Sequence, residues 1–191
     1  MGLYSKTLSS PIGEIRVYAH DRALVGLIMG GHDKKGLART FAHAREGGNS
    51  VIEKAREELA AYFAGRLTEF TVPLEVSGTE FQRAVWKSLQ TIGFGQLRTY
   101  GDVARAVGSS TAVRAVGGAI GRNPIPVIIP CHRVIGSDAT LTGFGGGLPV
   151  KQRLLEIEGH TIIASENEKT SKPRVSIWPR SPSCEKHEKI K

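Results

Sequence analysis

The sequence predicts an α+β fold, with a small N-terminal antiparallel sheet and a helix, then a mostly helical subdomain that contains a helix-turn-helix. Three patterns support this fold class. Apolar and polar side chains alternate within residues 3–29, as in half-buried strands. Capping-box patterns open several helices, and after Gly78 the helices are short and the turns tight. We therefore predict an α/β subdomain at 1–77 and a second subdomain at 78–164.

Strand and helix patterns fill the first subdomain. Ile15, Val17 and Ala19 alternate with polar neighbours, and an apolar strand follows from Leu24 to Met29. The capping box that begins at Ser50 opens a helix predicted to cover one face of the sheet. Residues 70–76 alternate again and predict a further strand before Gly78.

Short helices fill the second subdomain. Thr79–Gln82 and Thr99–Asp102 are further capping boxes, and Gly108 closes the second of these helices. A helix over residues 111–121 follows after a few turn residues. Two short helices joined by a glycine-containing turn match helix-turn-helix spacing, although any αα-corner has the same pattern.

The 111–121 helix indicates how DNA would be bound. One face of this helix carries small residues, and Arg114 is its one long cation before Arg122. The small residues are Ala112, Ala115, Gly117, Gly118 and Ala119. A helix that reads the major groove presents several polar side chains to base edges. This helix instead favours close approach to the DNA backbone, with one arginine entering the base stack. The formal net charge of +8 fits an anionic partner.

An apolar segment, 125–130, leads into Cys131, His132 and Arg133. Pro130 fixes its own φ and biases the preceding residue, so we expect a stiff, extended and buried segment with the thiol at the floor of a cleft. A nearby histidine or arginine can lower the pKa of a cysteine and make it a nucleophile. The alternative is an inert buried cysteine.

Two later features complete the predicted site. The loop Gly143–Gly147 lacks the Lys-Ser/Thr of a phosphate loop, and we expect its N–H groups to face a flat ligand beside Cys131. Pro149 opens a helix that ends near Glu158. A carboxylate at a helix C-terminus needs a cationic or hydrogen-bonding partner, for which His132 is the candidate. A solvated surface Glu158 is the alternative.

The segment around the cysteine reads Pro130-Cys131-His132-Arg133-Val134. Asn123-Pro124 precedes it, and the Gly-rich loop and Glu158-Gly159-His160 follow it. This arrangement resembles the O6-alkylguanine-DNA alkyltransferases. These are also called methylated-DNA–protein-cysteine methyltransferases. The resemblance is dense from about Gly78 to His160. It implies an RNase H-like first subdomain, and a repair protein that flips O6-alkylguanine, and O4-alkylthymine, out of duplex DNA. The alkyl group passes irreversibly to Cys131, once per molecule and without a cofactor.

The resemblance also implies residue roles in catalysis. His132 acts through a water as the base that generates the thiolate, and Glu158 orients and stabilises His132. Asn123 holds the active-site turn by hydrogen bonds. Tyr100 crowds the 3′ phosphate and donates to the departing base.

Contacts to DNA and to the substrate base follow in the same way. Arg114 fills the gap left by the flipped nucleotide. The remaining implied residues line the DNA surface or the base pocket: Ala115, Gly117, Gly118 and Arg122 for DNA, and Pro126, Phe144, Gly145 and the carbonyls of Cys131 and Val134 for the base.

Other predictions concern what surrounds this site. No metal is expected, because Cys131 and Cys184 are the only cysteines and lie far apart. We expect no membrane association, a monomer, and a cytoplasmic protein, or a nuclear one in a eukaryote. Residues 165–191 predict a disordered basic tail. The competing interpretations are a non-enzymatic relative that binds alkylated DNA and recruits another repair pathway, a transcription regulator, and a cysteine hydrolase.

Overall fold

A computed structural model describes residues 2–30, 36–163 and 172–176. The N-terminal strands β1 (Tyr4–Leu8), β2 (Ile15–Ala19) and β3 (Leu24–Met29) form an antiparallel meander, as predicted. The short helix α1 (Leu37–Thr40) precedes β4 (Arg45–Glu46), which pairs with β1 in parallel. The sheet order is therefore β3-β2-β1-β4, and one edge departs from the predicted antiparallel pattern.

Helix α2 (Ser50–Phe63) covers this sheet, but its cap differs from the prediction. The side chain of Asn49, rather than Ser50, accepts a hydrogen bond from the N–H of Ile52 at 2.9 Å. Glu53 does not form the predicted capping box, and its carboxylate instead pairs with Lys6 of β1 at 2.6 Å. Asparagine caps a helix N-terminus as well as serine does, so the sequence did not decide whether Asn49 or Ser50 is the cap. The helix buries Val51, Ile52, Ala55, Leu59 and Tyr62.

The strand predicted over residues 70–76 is wrong. This segment makes one isolated bridge, in which the N–H of Leu24 donates to the Pro73 carbonyl at 2.8 Å and the N–H of Glu75 donates to the Leu24 carbonyl at 2.9 Å. Pro73 has no N–H to extend a ladder, so pairing does not continue. The segment instead leads the chain from the sheet to the helical half.

Helical predictions for the second half are confirmed. Helices α3 (Glu80–Gln90) and α4 (Tyr100–Ala106) begin with the capping boxes Thr79/Gln82 and Thr99/Asp102. Helices α5 (Val113–Gly121) and α6 (Leu148–Ile157) follow, and the indole N–H of Trp86 on α3 donates to the Ala119 carbonyl of α5 at 2.9 Å. Strands β5 (Arg98–Thr99) and β6 (Val134–Ile135) pair in parallel. One apolar core is continuous through both halves, and the boundary at Gly78 stays a prediction.

The predicted disordered tail is wrong at residues 172–176. Strand β8 (Arg174–Val175) pairs antiparallel with β7 (Ile162–Ile163), and the N–H of Leu141 donates to the Pro173 carbonyl at 2.8 Å. Val175 is 5% exposed and fills an apolar cluster with Leu97, Ile135, Leu141 and Leu155. The few apolar residues in this short, proline-flanked stretch gave too weak a signal for a strand. The rest of the predicted tail, with Cys184, lies outside the described residues.

Val175→Asp should lower the free energy of unfolding by about 2 kcal/mol, because it places an unpaired carboxylate in this cluster. Ile163→Asp is the matched control, since Ile163 belongs to the same strand pair and is 50% exposed. Urea denaturation of both variants measures the difference. Equal losses in the two variants would mean that Val175 is not docked.

Candidate active site

The chain turns sharply before Cys131, which corrects the predicted extended segment. The N–H of Ile129 donates to the Ile125 carbonyl at 2.9 Å, and Val127 has a φ of 76°. The left-handed region is unfavourable for a β-branched residue and persists only where surrounding contacts impose it. The expected burial is confirmed, because Ile125, Val127 and Ile129 are fully buried and Pro126 is buried with them.

Asn123 holds this turn closed from the end of α5. Its side-chain N–H donates to the Ile129 carbonyl at 2.8 Å, and its side-chain oxygen accepts from the N–H of Ile125 at 3.0 Å. Asn123 is fully buried, so both bonds are shielded from water. A 3₁₀ turn, Cys131–Arg133, follows directly.

Cys131 is 6% exposed at the start of that 3₁₀ turn, and a buried lysine lies near it. Lys151 of α6 donates through Nζ to the carbonyls of Val134 and, at 2.9 Å, of Thr142. Burial lowers the pKa of Lys151 to about 8, and the negative charge of a Cys131 thiolate opposes that lowering. By reciprocity, the Lys151 cation favours the thiolate.

Glu158 collects hydrogen bonds from several elements. His132 Nε2 lies 2.8 Å from its Oε1, and Arg133 donates through Nε and Nη2 at 2.9 Å to Oε2 and Oε1. The Tyr62 hydroxyl donates to Oε1 at 2.7 Å and the N–H of Gly95 to Oε2 at 3.2 Å. Burial opposes ionisation, but the hydrogen bonds and charges of His132 and Arg133 outweigh it and lower the pKa of Glu158 to about 2. The expected contact with His132 is present, and the surface alternative is wrong.

His132 is fully buried, and burial lowers its pKa although Glu158 opposes this. A neutral imidazole carries one proton, and Nε2 faces a carboxylate, so the proton belongs on Nε2. Nδ1 then has a free lone pair, and among the described residues it has no hydrogen-bond partner. His132 is therefore arranged to accept a proton at Nδ1.

Tyr100 and the Gly-rich loop close another side of the site. The Thr142 hydroxyl donates to the Tyr100 hydroxyl at 3.2 Å, and burial raises the pKa of Tyr100, which stays protonated. Phe144 packs against the core, and Gly145 follows it in a half-buried turn. A side chain at Gly146 would lie 3.2 Å from Met29 of β3, so this loop rests closely on the sheet.

Helix α5 presents the predicted DNA-binding residues on the surface. Arg114, Ala115 and Arg122 are exposed, whereas Gly117 and Gly118 are half-buried. A side chain at Gly117 would touch the Tyr100 ring at 3.8 Å, so glycine brings α5 close to that tyrosine. The two predicted groups of residues, for DNA and for the reacting base, thus adjoin each other at Tyr100.

Sequence reasoning missed Tyr62 and Lys151, and it considered Arg133 only as a cation that could lower the pKa of Cys131, not as a partner of Glu158. A signal existed for Lys151, because it shares an apolar helical face with Leu154 and Leu155 at spacings of three and four. Tyr62 was not part of the predicted apolar stripe of its helix, which Ile52, Ala55, Leu59 and Phe63 already explained. A role for its hydroxyl is evident only in the folded chain, where Glu158, 96 residues later, lies within hydrogen-bonding distance.

Two features do not occur in residues 2–30, 36–163 and 172–176. No three or more His, Cys, Asp or Glu side chains are grouped so that they could hold a metal ion. No helix there combines the length and apolar character needed to cross a bilayer.

Comparison with known proteins identifies relatives over most of the chain. The family model for the 6-O-methylguanine DNA methyltransferase DNA-binding domain matches residues 80–160. The model for the ribonuclease-like domain of the same proteins matches residues 3–76. The fold class and the RNase H-like expectation are therefore confirmed.

Two curated relatives and one solved structure illustrate the similarity. A methylated-DNA–protein-cysteine methyltransferase of Mycobacterium leprae is 43% identical over 85% of this chain and 96% of its own length. One from Haemophilus influenzae is 40% identical over 90% of this chain and 94% of its own. A crystal structure of Mycobacterium tuberculosis OGT in complex with DNA superimposes with a TM-score of 0.76 at 44% identity, covering 82% of this chain and 93% of that one.

Glu158→Gln should lower the free energy of unfolding at neutral pH by about 3 kcal/mol, because Arg133 is left as an uncompensated buried charge. The folded pKa of Glu158, about 2, lies below the ordinary 4.5, so its stabilisation is complete above the ordinary value and is lost as the pH falls towards 2. The difference between wild type and variant should shrink over that range. Denaturation at several pH values measures it.

Glu156→Gln is the control for this prediction. Glu156 is exposed on the same helix and pairs with Arg153 at 3.6 Å, a surface contact worth less than about 1 kcal/mol. A pH-independent difference for Glu158→Gln would contradict the ionised, buried carboxylate.

Proposed function

The chain belongs to the 6-O-methylguanine DNA methyltransferase family, and we propose that it repairs DNA by transferring the alkyl group of O6-alkylguanine to Sγ of its own Cys131. One observation carries this proposal. Cys131 is followed by a buried His132 whose Nε2 is committed to the ionised Glu158, which leaves Nδ1 as a base next to the nucleophile. The proposal extends to O4-alkylthymine.

The reaction is a displacement at carbon. His132 Nδ1 takes the proton of the Cys131 thiol through a water, and Lys151 stabilises the thiolate. Sγ attacks the alkyl carbon and forms a C–S bond while the C–O6 bond breaks, and its electron pair stays on the guanine. The protonated Tyr100 hydroxyl donates to the departing base and neutralises its charge.

The product is a thioether, which water does not cleave. The thiol is therefore consumed, and each molecule reacts once. In the proposed pocket, the Cys131 and Val134 carbonyls accept from the guanine amino group and the N–H of Gly145 faces O6. Val134 already accepts from Lys151, but a carbonyl has two lone pairs and can accept again. Phe144 and Pro126 line the pocket.

Access to the base requires that it leave the duplex, at a cost of a few kcal/mol. We propose that Arg114 offsets part of this cost by occupying the gap. The small residues Ala115, Gly117 and Gly118 let α5 approach the DNA backbone, and the exposed Arg122 neutralises phosphate. This mode is independent of sequence, as repair of randomly placed damage requires.

The setting of the reaction follows from its chemistry. We propose that the chain acts as a monomer, because the network of Cys131, His132, Glu158 and Lys151 is complete within one chain. A thiol that must stay reduced and reach genomic DNA belongs in the cytoplasm, or in the nucleus of a eukaryotic cell.

Incubation with excess duplex DNA containing O6-methylguanine should raise the intact mass of the protein by about 14 Da, one methylene, and stop at one equivalent. Cys131→Ser is the control and should gain nothing. Unchanged mass with retained binding to the damaged duplex would leave the non-enzymatic DNA-binding alternative. Continued turnover on an ester would favour the hydrolase.

Arg114→Ala should slow transfer from duplex DNA by at least about tenfold, because the variant no longer stabilises the flipped state. Transfer from a single-stranded oligonucleotide should stay near the wild-type rate, since no base pair is opened. Rapid-quench measurements on both substrates check this. Arg153→Ala, an exposed arginine of α6, is the control for loss of charge alone. Equal slowing on both substrates would contradict the assigned role.

A further inference from the structure

Tyr62 comes from the first half of the chain, yet its hydroxyl reaches the Glu158 carboxylate of the candidate active site. It donates to Glu158 Oε1 at 2.7 Å and lies 3.3 Å from His132 Nε2. Tyr62 is fully buried on the face of α2 that packs into the molecule. The sheet-and-helix half therefore supplies a polar group to a network whose other side chains belong to the second half.

The direction of each hydrogen bond follows from the charges. Burial, and then the negative charge of Glu158, raise the pKa of Tyr62, so its hydroxyl stays protonated and donates. The ionised Glu158 can only accept. Oε1 therefore receives the Tyr62 proton and the Nε2 proton of His132 together. This arrangement commits Nε2 as a donor and leaves the lone pair of His132 on Nδ1.

We propose that Tyr62 is a positioning residue for alkyl transfer, a role that rests on the proposed function. Its hydroxyl anchors Glu158 and shares the carboxylate charge, so that His132 is held with Nδ1 free. His132 then stays neutral until it takes the thiol proton. Tyr62 does not touch the reacting atoms. It acts on His132 through Glu158.

The groups around His132 give the sign of the effect. Burial, Arg133 on the same turn and Lys151 of α6 lower the pKa of His132, whereas Glu158 raises it. His160, beyond the end of α6, also interacts with Glu158. A hydrogen bond from Tyr62 to Oε1 weakens the pull of that oxygen on the imidazole proton. Removing the hydroxyl should therefore strengthen that pull and raise the pKa of His132.

Phenylalanine at this position removes the hydroxyl and little else. The Tyr62 ring packs against Phe63, Phe70 and Phe94 with centroid distances of 5.5, 5.3 and 6.1 Å. These ring contacts do not need the oxygen. Oε1 keeps His132 and Arg133 as donors in the variant.

The test is the pH dependence of single-turnover methyl transfer by Tyr62→Phe in the full chain, between about pH 5 and 9. The acid limb should move to higher pH by roughly half a unit, and the maximal rate should fall by about threefold to tenfold. Tyr18→Phe is the matched control, because Tyr18 is buried in the N-terminal sheet and stacks on Phe41 at 4.7 Å. Its profile should match that of the wild type.

A second measurement includes an observation on the wild type, which does not require the variant to fold. Nitrogen-15 NMR of wild-type His132 should show the Nε2-protonated tautomer, and in Tyr62→Phe its titration should move to higher pH. A folded Tyr62→Phe with a wild-type pH profile, or a wild-type His132 protonated on Nδ1, would overturn the role of Tyr62. Absence of methyl transfer by the wild type would instead refute the proposed function, and the NMR titration would still test Tyr62 separately.

Discussion

A single buried carboxylate, that of Glu158, is the interaction on which the site depends. Its oxygens accept from α2, from the loop at Gly95, and from both His132 and Arg133. Each of these groups would be costly to bury without it. The carboxylate therefore does two things with one charge: it joins the two halves of the molecule, and it determines which nitrogen of His132 is free.

Around this anion, the chain tolerates features that oppose stability. Lys151 is a fully buried cation, and Val127 occupies a backbone region that β-branched residues avoid. Both adjoin the segment that carries Cys131. Asn123 and the apolar core hold that segment in place. The packing of the whole molecule therefore offsets the unfavourable free energy of the buried Lys151 and of the Val127 backbone.

Sequence patterns predicted helices α2 to α6 and the first three strands, because each has a local signal: a capping residue, an N-terminal proline or an apolar repeat. Helix α1 has no such signal and was not predicted. The pairing of Glu158 with His132 was also accessible, since a carboxylate at a helix C-terminus needs a partner. The positive φ of Val127 carries no residue signature, and proline rules wrongly favoured an extended chain. Tyr62 and the strand at Val175 depend on contacts with residues distant in sequence, which no local pattern encodes.

The arrangement of the network along the chain has a consequence for synthesis on the ribosome. Tyr62 emerges first, Cys131 follows, and Lys151 and Glu158 emerge last. An incomplete chain thus carries the cysteine without the carboxylate that contacts His132 and without the neighbouring cation. Its thiol has the reactivity of an ordinary cysteine. In the proposed mechanism, the Cys131 thiol therefore becomes reactive only when α6 has packed, so a protein that reacts once is not consumed before it has folded.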